Sequence, residues 1–184
     1  MDGTITKPVL DFDVIRQEIG VPAGDLIEEI NRLDPAGRAR AWSVVERHET
    51  AALDRAELQE GASDLLGRCR RSGIKAGLLT RNLKSNVDYV CRMYRLEFDA
   101  VVTREQLPAK PHPGAVTRIL EQWHMPAAAV LVAGDYVHDI ECGRAAGCKT
   151  CFFQNPGKPF FGADADFVVS SMAELERIIF GQDS

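Results

Sequence analysis

Val130-Leu131-Val132-Ala133-Gly134-Asp135-Tyr136-Val137-His138-Asp139 decides the fold. An apolar run ends in Gly-Asp, and a second carboxylate follows four residues later, where a helical pattern starts. Val130 to Ala133 show no alternation, which predicts a strand buried on both faces. Gly134 permits a sharp turn. Asp135 then stands at the carboxyl end of the strand, the edge where open α/β sheets bind ligands. Asp139 sits one helical turn beyond, so both carboxylates can face one point. Two carboxylates at a strand end suit a hard cation such as Mg2+. The same acids would also favour a helix start through its dipole.

Working outward, apolar and amphipathic segments alternate. Strands are predicted at Ile74 to Thr80, Phe98 to Thr103, Thr150 to Phe153 and Phe167 to Val169. Helices are predicted at Ala62 to Arg71, Ser85 to Tyr94, His112 to Trp123, about His138 to Ala146, and Met172 to Phe180. Strands alternating with helices predict an α/β fold, a parallel sheet with helices on both faces. Residues 12–60 differ, because they read as helical throughout. Phe12 to Ile19 is one short helix, Asp25 to Leu33 a second, and Asp34-Pro35 starts a third with an N-cap and a first-position proline. Helical signal continues to Gln59. The predicted organisation is a core from residues 1–11 and 61–184 with a small helical insertion at 12–60. The chain opens on Met1-Asp2-Gly3-Thr4-Ile5-Thr6, a turn signal with no strand before it.

The 184 residues suffice for one sizeable core. A net charge of −5 leaves no basic footprint for nucleic acid. No apolar run reaches membrane-spanning length. Lys7 and Pro8 interrupt any secretory signal at the start. Five cysteines, an odd number, fit a reducing compartment, so a cytoplasmic location is expected, an organelle-targeting segment upstream of Met1 being the other option. Cys148-Lys149-Thr150-Cys151 has the C-x-x-C form but no partner pair, and buried small apolar residues are the favoured reading.

Polar residues collect at the predicted strand ends. Thr80-Arg81-Asn82 offers a hydroxyl, a side-chain amide and free N–H groups at a helix start, which can hold a phosphate or simply cap the helix. Lys110-Pro111-His112-Pro113 is stiffened by two prolines, and Lys110 could supply a fixed positive charge. His112 reads as a helix-start residue. Asp2-Gly3-Thr4 completes a set of Asp, Thr, Lys and two Asp, each at a strand edge.

On these motifs the chain resembles the haloacid dehalogenase-like superfamily in its phosphatase branch, similar to phosphoglycolate phosphatase. Asp2-Gly3-Thr4 matches the end of its first motif, Asp-x-Asp-Gly-Thr. Thr80 matches the second motif, Lys110-Pro111-His112-Pro113 the third, and Gly134-Asp135 to Asp139 the fourth. The resemblance implies a Rossmann-like core and a helical cap, and a phosphatase of small phosphorylated metabolites working through an aspartyl-phosphate. It implies that Asp2 acts as general acid and base, and that Thr4, Thr80, Arg81, Asn82 and Lys110 bind phosphate. It further implies that Asp2, Asp135 and Asp139 hold Mg2+. The implied partner is a small metabolite, with no nucleic acid or membrane, on a monomer or homodimer.

The first Asp of that motif, the family's nucleophile, falls one position ahead of Met1, as does the apolar strand that carries it. A start lying upstream is the favoured explanation, and a chain that is short as written the other. As written, little phosphatase activity is expected. The alternatives are a phosphate-binding protein without chemistry and a phosphomutase on the same fold. A dehalogenase is disfavoured by the Asp-Gly-Thr pattern. Within residues 12–60, Arg38, Arg40, Arg47 and His48 could meet an anionic substrate, although a solvated helix face is the favoured reading; Trp42 reads as local core.

Overall fold

The computed structural model describes residues 1–106 and 110–181. They form two compact units, Met1–Pro8 with Glu57–Ser184, and Val9–Ala56.

The smaller unit holds α1 (Phe12–Ile19), α2 (Leu26–Arg32) and α3 (Pro35–Leu53). Each starts on an aspartate. Asp11 accepts from the amides of Asp13 and Val14, Asp25 from Glu28, and Asp34 from Gly37. Such caps satisfy amides that the first helical turn leaves without partners. Ile15, Ile30 and Val45 are buried together, and Trp42 packs against them as local core. The helix does not continue to Gln59. After Leu53 the chain turns, Leu58 bridges to Thr6, and the Gln59 amide donates to the Ile5 carbonyl at 2.9 Å. Long-range pairing with the N-terminal turn gives these backbone groups partners that a longer helix would otherwise supply.

The larger unit runs α4 (Ala62–Arg71), β1 (Gly77–Leu79), α5 (Lys84–Tyr94), β2 (Ala100–Val102), α6 (Gly114–Trp123), β3 (Leu131–Gly134), α7 (Val137–Ala145), β4 (Lys149–Phe153), β5 (Phe167–Val169) and α8 (Met172–Phe180). A single 3-10 turn at Ala127–Ala129, absent from the sequence reading, leads into β3. All strand pairs are parallel. Cys151 and Phe153 of β4 pack with Leu65 of α4 and Leu175 of α8. On the other side, Cys142 of α7 and Val116 of α6 pack against Val132. Helices therefore cover both faces, as the alternation of elements predicts.

The sheet is nevertheless in two pieces. β1 pairs with β2, and β3, β4 and β5 pair in that order; among the described residues β1 and β3 do not pair. A cavity of about 810 Å³ lies along them, lined by Leu78 and Leu79 on one side and Val132 and Ala133 on the other. This corrects the expectation for β3. Its residues up to Ala133 are only half-buried, because one edge and part of a face border the cavity. β1 forms over Gly77–Leu79 rather than Ile74 to Thr80, matching the three residues of β2 that it pairs with.

The five cysteines are free. Cys148 belongs to the cluster under α6 and α7, whereas Cys151 belongs to the one under α4 and α8. The two thiols of the C-x-x-C stretch thus lie on opposite faces of the sheet, a geometry that no disulfide bridges. Among the described residues no helix is long and apolar enough to cross a membrane.

At Gly143, α7 packs closely on the sheet. A Cβ on Gly143 would lie 2.7 Å from Thr150 Cγ2 and 2.9 Å from Val132 Cβ. Gly143→Val should therefore lower stability by about 1–3 kcal/mol through overpacking. A urea denaturation series would show it as a lower midpoint with an unchanged slope.

Candidate functional site

β3 ends at Gly134 and delivers Asp135 to the carboxyl edge; α7 starts two residues later and delivers Asp139 from its first turn. Gly134 makes the approach possible, since a Cβ there would lie 2.1 Å from Asp139 Cγ. Asp139 Oδ2 accepts from the Tyr136 amide at 3.1 Å, which ties the carboxylate back over the turn.

Lys110 reaches Asp139. Its Nζ donates to Asp139 Oδ1, and it lies 3.4 Å from the Leu79 carbonyl at the end of β1. Both side chains of this ion pair are 11% exposed. Lys110 therefore spans the two pieces of sheet at their carboxyl ends. Thr4 donates its hydroxyl to Asp135 Oδ1 at 3.0 Å. Gly3 lies so close to Asp135 that a Cβ would be 2.0 Å from Oδ2, and its φ of +78° is one that glycine adopts freely. Asp2 Oδ1 accepts from the Thr6 hydroxyl at 3.3 Å.

The charges settle unequally. Burial acts to raise the Asp139 carboxyl, but the Lys110 charge and hydrogen bond, the Met1 ammonium and the Tyr136 amide outweigh it, and the pKa is lowered. Asp135 is pushed up to about 6 by burial and by the charge of Asp139, against the pull of the Met1 ammonium, the Thr4 hydroxyl and Lys110. Burial first, and Lys110 second, lower the pKa of the Met1 amino group beside them. One carboxylate thus has its own cation, and its neighbour is short of positive charge.

Asp2, Thr4, Lys110, Asp135 and Asp139, all singled out in the sequence, line the one cavity. Thr80, Arg81 and Asn82 do not line it. Thr80 is buried one residue beyond Leu79, and its hydroxyl accepts from the Asn82 amide at 3.1 Å, forming a local cap. The helix start behind them is also engaged, because the Lys84 amide donates to Glu105 Oε1 at 3.0 Å. Among the described residues, no three acidic, histidine or cysteine side chains converge as a metal centre. The physical reason is local: Lys110 takes Asp139, and Thr6 bonds Asp2.

Sequence reasoning missed two residues. Asn155, 3% exposed, donates to the Gly3 carbonyl at 2.7 Å, and Gln59 donates to Asn155 Oδ1 at 2.7 Å. Position past the end of β4, on the ligand-binding edge, was the available signal for Asn155. The following Pro156-Gly157 made it read as a turn residue. Gln59 carried no signal. In the smaller unit, Arg47 and His48 both pair with Glu18, and Arg38 donates to the Asn31 carbonyl at 2.9 Å.

A profile described as haloacid dehalogenase-like hydrolase matches residues 7–153. A haloacid dehalogenase-like hydrolase domain-containing protein of Arabidopsis thaliana is 28% identical over 198 residues, covering 97% of this chain and 81% of the relative. The pyrophosphatase PpaX of Bacillus cereus is 31% identical over 116 residues, 60% of this chain and 54% of that protein. Among solved structures, a hydrolase from Pseudomonas syringae superposes with a TM-score of 0.82 at 16% identity, covering 96% of this chain and 95% of its own. CbbY from Rhodobacter sphaeroides, solved in complex with phosphate, superposes with a TM-score of 0.71 at 20% identity, covering 95% and 93%. The profile match spans most of the chain, including the segments that carry Thr80, Lys110, Asp135 and Asp139, and the chain belongs to the haloacid dehalogenase-like hydrolases.

Proposed function

We propose that this hydrolase acts on phosphate esters of small metabolites and uses Mg2+. The observation that carries the reading is the shared cavity edge, where a half-buried lysine and two adjacent carboxylates meet the Asp2–Thr4 turn. Asp135 fits a cation, since its raised pKa marks a buried carboxylate short of positive charge. Oxygen donors alone suit a hard ion. Asp135 and Asp139 would hold Mg2+ together with the backbone carbonyl of Asp2, and the ion would neutralise charge on the transferring phosphoryl group.

The protein groups divide the remaining work. Lys110 neutralises the anionic phosphate and orients Asp139. Thr4 fixes Asp135 by its hydroxyl. Asp2 protonates the leaving alcohol and afterwards takes a proton from water, so the same carboxyl serves both half-reactions. Thr80, with the amides of Arg81 and Asn82, binds phosphoryl oxygens once the local cap at Thr80 opens to a ligand. In this reading the smaller helical unit selects the substrate.

In the Asp-x-Asp-Gly-Thr pattern that Asp2-Gly3-Thr4 resembles, a carboxylate two residues before Asp2 would attack phosphorus as the alcohol leaves, and water would later split the aspartyl-phosphate. The PpaX likeness and the phosphate-bound CbbY neighbour support a phosphoryl substrate.

The 184-residue chain should show little Mg2+-dependent hydrolysis of p-nitrophenyl phosphate. A version extended ahead of Met1 by an apolar strand ending in Asp should gain it, and the matching Asn version should not. Turnover at an ordinary phosphatase rate by the unextended chain would refute the assignment of the nucleophile.

Asp135 gives a second test. Its folded pKa of about 6 lies above the ordinary value of 3.8. Its contribution to stability is therefore complete below pH 4 and is lost as the pH rises through 6. At pH 7, without metal, Asp135→Asn should stabilise the chain by up to about 3 kcal/mol, by removing a strained charge. The same variant should lose the rise in Tm that Mg2+ gives the parent. Calorimetry at pH 4 and pH 7, with and without Mg2+, reads both effects.

A further inference from the structure

The Asp2–Thr4 turn has two sets of bonds. One set is internal: the Met1 carbonyl accepts from the amides of Thr4, Ile5 and Thr6 at 3.2, 2.8 and 3.0 Å. These bonds fix the shape of the turn and say nothing about where it sits. The other set ties the turn to the rest of the unit. Thr4 reaches inward to Asp135, and the Gly3 carbonyl points at two side-chain amides, the buried Asn155 and the half-buried Gln59.

That pair is ordered as a relay. Asn155 Nδ2 donates to the Gly3 carbonyl at 2.7 Å, and Gln59 Nε2 donates to Asn155 Oδ1 at 2.7 Å while lying 3.5 Å from the same Gly3 carbonyl. The main-chain amide of Gln59 holds the Ile5 carbonyl, so Gln59 grips the turn at two points. Asn155 is itself held by its backbone, since its carbonyl accepts from Gln154 Nε2 at 2.8 Å and from the Lys158 amide at 3.2 Å. A side chain at position 155 must donate to one partner and accept from the other, which an amide does and an aliphatic group or a carboxylate does not.

We propose that Asn155 and Gln59 are positioning residues of the site: their amides set the Gly3–Thr4 peptide, and through it the placement of Asp2 and Thr4 against Asp135. Gly3 is already in contact with Asp135, so a small rotation of this peptide changes the distance between the turn and the carboxylate. The loop after β4 is thereby coupled to carboxylates delivered by β3 and α7. Only the metal readout of this proposal rests on the phosphatase reading.

The test compares the full chain with N155A, N155D and Q59E. N155D keeps the size and puts an acceptor against the Gly3 carbonyl. Q59E removes the donor to Asn155 and serves if the position-155 variants fold poorly. Amide hydrogen exchange is followed residue by residue, and Mn2+ alone is titrated as a paramagnetic probe. Each variant should speed exchange at Thr4, Ile5 and Thr6 by about 10-fold, the size expected for losing one buried hydrogen bond, with β4 and β5 amides unchanged. Mn2+ affinity should fall about 10-fold, as for residues that orient metal ligands from behind. Unchanged exchange at the turn, or acceleration spread evenly through β4 and β5, overturns the proposal. Should the parent bind no Mn2+, the metal reading falls, and the exchange pattern alone still decides the role of Asn155 and Gln59.

Discussion

A buried carboxylate and a half-buried one within one helical turn of each other cannot both stay charged at low cost without a cation. Most of the larger unit answers that constraint. Lys110, which precedes α6, reaches the end of β1 and pairs with Asp139. Gly134 gives up its side chain so that Asp139 can fold back over the strand end. The turn at Gly3 and Thr4 then closes on Asp135, the acid that Lys110 does not reach. The result is an asymmetry: Asp139, paired with the lysine, has its pKa lowered, and Asp135, which Lys110 does not reach, has its pKa raised.

The sequence carried this arrangement because each participant stands at the end of an apolar run or beside a turn-forming residue. Asp135 and Asp139 were legible from spacing alone, since strand and helix periods place them on one side. Lys110 lies more than a hundred residues from Asp2 and Thr4, and only their joint pattern linked them. The elements themselves were legible to within a few residues, with α1, β5 and α8 read at their observed bounds. What failed to show was long-range. Leu58 and Gln59 read as helix because their local propensity is helical, yet pairing with Ile5 and Thr6 decided their conformation. Asn155 was hidden because a side-chain amide after a strand looks like any turn residue until its partner, a backbone carbonyl 152 residues away, is known.

The division of the sheet is the other feature that periodicity could not report. An unbroken apolar run predicts burial on both faces, but burial needs a neighbour on each edge as well. β3 has β4 on one side and the cavity on the other. Part of the apolar surface of β1, β3, α4 and α8 therefore lines open space. Surface of that kind contributes less dispersion energy than close packing would. The stability of the larger unit must lean on β4, whose Cys151, Phe152 and Phe153 are almost wholly enclosed.

That enclosure makes the thiols an internal gauge of opening. Cys142 and Cys151 have no exposed surface, and burial raises their pKa to about 11 and about 12. Neither sulfur is a thiolate in the folded protein at neutral pH, so neither reacts with an alkylating reagent until its shelter is lost. Because Cys142 lies under α6 and α7 and Cys151 under α4 and α8, they watch opposite sides of the sheet. Their relative labelling rates distinguish a unit that opens as one body from one whose two helical layers peel away separately.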